Sequence, residues 1–209
     1  MKKTAFIFMC LLMVFATGCS QQSLHQASGK GDLAAVKRLV DKGADVNARD
    51  KDGLTPLLLA ATCTDHLDVI KFLVVKGADV NAGDNDGWTP LMGAVSRGKI
   101  DIVKFLMDNG ADANARNNDG WPPLMLAAGA GKLDIVKFLV DKGADVNAKD
   151  KESTSPLMVA AEADHLDVVK FLVAKGADVN ARDKDGLTPL SLATKPAVVE
   201  FLKQHGATE

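Results

Sequence analysis

Charge of a single sign is missing from this sequence, since 25 basic and 27 acidic residues leave a net charge of −2. So even a balance supplies neither the basic field of a DNA- or RNA-binding domain nor a strongly acidic tail. Cysteine is scarce too: Cys10, Cys19 and Cys63 offer no disulfide framework, so stability has to come from packing. Beyond residues 5–16 no stretch is apolar enough to cross a membrane. Nucleophile elbow, P-loop, zinc-protease helix and dinucleotide fingerprint are all lacking. What is present, 47% hydrophobic and 25% charged residues, matches a folded globular protein and excludes a disordered or collagen-like chain.

The first residues follow their own logic. Lys2 and Lys3 precede an apolar run from Ala5 to Ala16, and the small residues Thr17 and Gly18 lead to Cys19. As a helix the run would span about 18 Å at ~1.5 Å per residue, short of the ~30 Å hydrocarbon core, so it reads as a secretory signal. It resembles a bacterial lipoprotein signal, although Ala16 stands where that family usually has Leu. The resemblance implies removal of 1–18 and acylation of Cys19, with 19–23 as a short tether. Ser20 after the cysteine implies the outer membrane, facing the periplasm. Cleavage leaves 23 basic against 27 acidic residues, a charge of −4.

Self-similarity governs the remainder. Gly-Ala-Asp begins at Gly43, Gly77, Gly110, Gly143 and Gly176, at intervals of 34, 33, 33 and 33 residues. Asn47, Asn81, Asn114, Asn147 and Asn180 follow each triplet, and then come helix-start pairs at Thr55-Pro56, Thr89-Pro90, Pro122-Pro123, Ser155-Pro156 and Thr188-Pro189. Thr89 is an N-cap acceptor, and Pro90 fills the first helical position, where a missing N–H costs nothing. A second helix is predicted from about Ile100 to Asp108, with Ile100, Val103, Phe105 and Leu106 as apolar surface and Gly110 as its left-handed stop. The stretch Asn114–Trp121 is rich in turn formers and reads as a β-hairpin finger. Ser153 replaces the turn glycine of Gly53, Gly87, Gly120 and Gly186, so its finger is expected to bend differently.

These recurring positions resemble the ankyrin repeat. The resemblance implies an all-α repeat solenoid, helix-turn-helix units with β-hairpin fingers, in about six units including two caps: 24–48, 49–82, 83–115, 116–148, 149–181 and 182–209. One unit cannot bury enough surface alone, and stacking supplies what is missing. The family's Thr-Pro-Leu-His tetrad keeps its histidine at His25, while Leu58, Met92, Met125, Met158 and Ser191 fill that slot elsewhere. The extra residue of the 34-residue interval falls near Thr62–Asp65.

Chemistry finds little purchase. His66 and His165 lie three units apart, about 30 Å at ~10 Å per unit, and cannot share a metal. His205 sits in the C-terminal cap. Asp45, Asp79, Asp112, Asp145 and Asp178 recur once per unit, as loop-bonding residues do. Cys63 reads as a packing residue at the end of a first helix, the alternative being a thiol open to oxidation or to an intermolecular disulfide. No catalytic residue, cofactor site or metal site is expected, and the chain is read as a non-enzyme.

The resemblance implies partner binding along finger tips and first helices. The residue before each helix-start pair belongs there: Leu54, Trp88, Trp121, Thr154 and Leu187, with the two tryptophans expected as neighbours at ~10 Å. Beside them run Asp52, Asp86, Asp119, Glu152 and Asp185, a line able to steer a basic partner. Arg97, at the end of a first helix, is expected to complete the groove. The chain is therefore read as a monomeric protein-binding module on the bacterial envelope, touching the membrane through lipid alone and binding no nucleic acid. An inhibitor or immunity protein occluding a periplasmic toxin or enzyme is the alternative. An envelope spacer and an enzyme are the remaining ones.

Overall fold

The computed structural model describes residues 22–208; the signal-like segment 1–18 and Cys19 lie outside the described residues. The chain divides into two compact units, one ending at Ala111 and the other beginning at Asp112.

In the first unit three helix pairs follow one another: α1 (Leu24–Lys30) with α2 (Leu33–Asp41), α3 (Pro56–Cys63) with α4 (Leu67–Val75), and α5 (Pro90–Ser96) with α6 (Ile100–Asp108). The starts are chemical. The Thr55 hydroxyl accepts the Leu58 N–H at 3.2 Å and Thr89 accepts that of Met92 at 3.3 Å, each with proline in the next position. Such a cap is worth about 1 kcal/mol. α1 has no proline and begins with a reciprocal cap, Gln26 N–H to Ser23 Oγ and Ser23 N–H to Gln26 Oε1. The Gly110 stop is as expected, left-handed at φ 89°.

Helices α1, α3 and α5 pack side by side as one layer, α2, α4 and α6 as a second, and each pair packs across the two. The first layer touches neighbours on several sides, so Pro90 through Val95 are all buried. The second layer buries one stripe: Val69, Ile70 and Leu73 in α4, and Ile102, Val103 and Leu106 in α6. Ile100 and Phe105, predicted as apolar surface, are only half-buried, and Lys71 Nζ lies 5.9 Å from the Phe105 ring centroid. Full burial of a leucine-sized side chain stabilises by about 1.5–3 kcal/mol, so the recurring leucines carry the stack. The extra residue lengthens α3 to eight residues, against seven in α5.

The second unit repeats the plan with α7 (Pro123–Gly129) and α8 (Leu133–Asp141), α9 (Pro156–Glu162) and α10 (Leu166–Ala174), then α11 (Pro189–Leu192) and α12 (Pro196–Gln204). Its layers are α7, α9, α11 and α8, α10, α12. The short last pair is braced by Asp164, whose carboxylate accepts the Thr194 and Lys195 N–H groups at 3.1 and 2.8 Å and also the Thr194 hydroxyl.

Three expectations need correcting. The fingers turn as hairpins but hold no strand among the described residues: each closes over a single backbone pair, such as Asp50 N–H to Leu54 O at 3.1 Å, too short for a ladder. The Ser153 finger is not bent differently, because Ser153 itself adopts φ 63° and its N–H keeps the bond to Asp150 O. His25 is not the tetrad histidine. With Ser23 as N-cap it stands one residue early, Gln26 takes the third helical position, and the His25 ring nitrogen instead bonds Ala48 O and Leu54 O at 3.0 and 3.1 Å.

Candidate functional site

Each finger is built from one Asp or Asn at its base. Asp50 Oδ1 accepts the N–H groups of Asp52 and Leu54, both at 2.9 Å, and Asp84 Oδ1 those of Asp86 and Trp88, both at 2.9 Å. In the second unit Asn117 holds Asp119 and Trp121 at 3.0 and 2.8 Å, Asp150 holds Glu152 and Thr154 at 2.9 and 2.8 Å, and Asp183 holds Asp185 and Leu187 at 3.0 and 2.8 Å. Such short side-chain-to-backbone bonds set the turn without a ladder. The acidic tip and the apolar residue two positions later are thus held by one oxygen.

Fingers within a unit are also tied to each other. Asn85 N–H donates to Asp52 O at 3.1 Å, Lys151 N–H to Asp119 O at 3.1 Å, and Lys184 N–H to Glu152 O at 3.0 Å. A second ladder runs through the repeated asparagines. Asn147 donates to Gly176 O at 3.0 Å while accepting the Asp178 N–H at 2.9 Å, and Asn47 does the same with Gly77 and Asp79. The once-per-unit aspartates bond their own loops, as in Asp145 Oδ1 to Asn147 N–H at 2.9 Å.

The first unit therefore brings Asp52 and Leu54 beside Asp86 and Trp88, and the second lines up Asp119 and Trp121, Glu152 and Thr154, Asp185 and Leu187. Neither indole is sealed: Trp88 and Trp121 are half-buried, as are Leu54 and Thr154, while Leu187 is 40% exposed. Arg97 is exposed at the far end of α5 from Trp88, about 10 Å along the helix at ~1.5 Å per residue, on the side of Asp65.

The acidic line is not one-signed. Lys51, Lys151 and Lys184 directly precede Asp52, Glu152 and Asp185, and Lys184 Nζ lies 3.7 Å from Glu152. Only Asp86 and Asp119 follow a neutral residue, Asn85 and Asn118, and these are the two tryptophan fingers. The bases of the fingers, Asp50, Asp84, Asn117, Asp150 and Asp183, belong to none of the motifs that mark the repeat, although they recur four residues before Leu54, Trp88, Trp121, Thr154 and Leu187. Asp84 is buried, and burial pushes its carboxyl above the ordinary value while the Trp88 and Asp86 N–H groups pull it down.

The remaining candidates for chemistry are dispersed. The His165 ring nitrogen lies 3.2 Å from Gly129 O, His66 lies 3.9 Å from Asp68, and His205 Nδ1 bonds Phe201 O at 2.8 Å. Among the described residues no group of three His, Cys, Asp or Glu side chains is placed to hold a metal, and no helix is long and apolar enough to cross a membrane. Cys63 is half-buried at the end of α3 and in no disulfide.

The profile of the family described as ankyrin repeats (3 copies) matches residues 24–117, 76–150, 105–183 and 124–208, an unbroken cover of 24–208. The chain belongs to the ankyrin repeat family. Two putative ankyrin repeat proteins of Rickettsia felis are each 46% identical to it over 48 residues, 23% of this chain and 75% and 71% of theirs. Ankyrin repeats are typically non-catalytic modules that mediate protein–protein interaction.

Proposed function

We propose that this ankyrin repeat chain captures a partner protein through its finger ridges, with the Trp88 and Trp121 fingers as anchors. The observation that carries the reading is the state of the two indoles. Each is partly exposed at the start of a first helix, on a backbone pinned by a side-chain oxygen at 2.9 and 2.8 Å. A large aromatic surface on a rigid support loses little entropy on binding, and tryptophan is enriched among residues that dominate interface energy. Asp86 and Asp119 stand on these same fingers without a preceding lysine, which favours a partner whose apolar patch is rimmed by Lys or Arg. Leu54, Thr154, Leu187 and Arg97 extend the contact within their own units, and Asp52, Glu152 and Asp185 form a charge-balanced rim.

The module is placed on the bacterial envelope by acylation of Cys19, at the outer membrane facing the periplasm, after loss of 1–18. Support for this comes from the charged, apolar and small-residue order of Lys2 to Cys19. Two acyl chains suffice for stable anchoring. A narrower version, an inhibitor or immunity protein, predicts that the captured partner loses its activity in the complex.

Affinity capture from envelope extracts, run in parallel with the wild type and with Trp88→Ala/Trp121→Ala, tests the ridge. A partner recovered by the wild type and depleted with the double variant supports it; equal recovery by two variants of equal helicity removes it. For the anchor, intact-mass analysis of the membrane fraction should show a lipid-modified chain beginning at Cys19 that Cys19→Ser abolishes. An unmodified soluble chain would reject the anchor and leave the ridge standing.

A further inference from the structure

The sixteen residues from Lys42 to Leu57 recur without a change from Lys175 to Leu190. Both copies fold into the same finger. Gly53 and Gly186 have φ of 78° and 79°, and their N–H groups bond Asp50 O and Asp183 O at 3.0 and 3.1 Å. Asp52 and Asp185 donate their N–H to the base aspartate at 2.9 and 3.0 Å. The pair Asp-Gly at each tip is also, among aspartyl dipeptides, the one most open to a reaction that needs no enzyme. The glycine amide nitrogen attacks Cγ of the protonated aspartic acid, a C–N bond forms, and the amide hydrogen and carboxyl hydroxyl depart as water. Water then opens the five-membered imide at either carbonyl, restoring aspartate or leaving isoaspartate. Nothing is oxidised or reduced.

What differs between the copies is cover. The carbonyl of the Asp52–Gly53 peptide accepts the Asn85 N–H at 3.1 Å, and a Cβ on Gly53 would meet Asn85 Oδ1 at 2.5 Å and Asn85 N at 2.8 Å. Gly53 is buried beneath the next finger. Gly186 is exposed, a Cβ there would meet nothing within 4 Å, and Asp185 O accepts no hydrogen bond among the described residues. Arg182 does bond Gly186 O at 2.8 Å, but that carbonyl belongs to the following peptide, not the one that must turn. Asp119–Gly120 in the second unit is covered like Asp52–Gly53: Asp119 O holds the Lys151 N–H and Gly120 is buried.

We infer that, of the finger-tip pairs Asp52–Gly53, Asp119–Gly120 and Asp185–Gly186, the last forms isoaspartate fastest, because no other finger among the described residues holds its peptide in place. To close the ring, the Asp–Gly peptide must rotate so that its nitrogen reaches Cγ. At Asp52 and Asp119 that motion breaks a finger-to-finger hydrogen bond, which corresponds to about fivefold in rate. At Asp185 it breaks no bond to another finger; the glycine N–H bond within the turn is lost equally at all three. Isomerisation would insert a methylene into the backbone between the two bonds that Asp183 Oδ1 makes, and so displace Leu187.

The full chain is aged at neutral pH and isoaspartate is quantified by mass spectrometry in the Asp52, Asp119 and Asp185 peptides, with a parallel sample in denaturing urea. The expected result is accumulation at Asp185 at least about fivefold faster than at Asp52 in the folded chain, with the Asp52 and Asp185 rates equal in urea. Asp185→Glu, whose ring closure would need six members, removes the signal. Equal rates in the folded chain, an excess that persists in urea, or no isoaspartate at Asp185 would each overturn the inference.

Discussion

Replacing Ser153 by glycine should make this protein more stable, although it deletes a side chain. Ser153 holds φ 63° in a slot where the other four fingers place glycine, at φ of 78°, 78°, 85° and 79°. A left-handed conformation costs an L-residue roughly 1–2 kcal/mol. Glycine relieves that cost but frees the unfolded chain, losing about 0.4–1 kcal/mol of the gain. The difference is a net stabilisation of about 0.8 kcal/mol, some 2–3 °C in Tm for a chain of this size. The reverse changes separate strain from steric conflict. Gly186→Ser meets nothing within 4 Å and should lose about the same 0.8 kcal/mol. Gly120→Ser adds a collision, since its Cβ would lie 3.0 Å from Lys151 N and 3.3 Å from the Asp150 backbone, so it should lose more. Urea titrations of the three variants, followed by far-UV circular dichroism, give the midpoints. A Ser153→Gly protein no more stable than wild type, or Gly120→Ser and Gly186→Ser losing equal amounts, would refute the reasoning.

Other outcomes follow from single buried or bridging groups. Burial raises the Asp84 carboxyl above 3.8, so the stability tied to this group is complete at pH below that value and is lost as pH rises through the raised one. Asp84→Asn, which keeps both N–H bonds as Asn117 does in its own finger, should therefore raise the urea midpoint at neutral pH, with the advantage shrinking on acidification. Asp164 is shifted the other way, held below 3.8 first by the Thr194 hydroxyl and then by the Lys195 N–H. Its contribution is present above 3.8 and disappears as pH falls through the lowered value. Asp164→Ala should speed amide hydrogen exchange in α12 at neutral pH and leave α7 unchanged; uniform exchange would count against the brace. The Ser28 hydroxyl is wholly buried and has no hydrogen-bond partner, so Ser28→Ala should stabilise by about 1 kcal/mol in the same urea titration.

Much of this architecture was legible in residue order alone. Thr-Pro pairs start the first helices because a hydroxyl cap and a fixed φ act within one turn of chain, and the left-handed Gly110 stops α6 for an equally local reason. Periodicity likewise marked Val103 and Leu106 as core. Residue order alone leaves open which of several local bonds the backbone makes. His25 was placed one position late, because only the Ser23–Gln26 cap shows where α1 begins. Ser153 was expected to distort its finger, yet the Asp150 bonds hold the turn and the serine bears the strain.

The amino-acid order therefore determined the repeat, its helix starts and stops, and which residue types stand at each finger tip, since these depend on interactions within a few residues. Tertiary stacking decided how far each indole is covered, which carboxylate is buried and which of two identical finger tips is left exposed. The two identical segments at 42–57 and 175–190 make the division plain. Their shared residues dictate one turn with matching φ, but exposure differs because Asn85 lies over Gly53 and nothing lies over Gly186, and that difference is a property of what packs above, not of the segment itself.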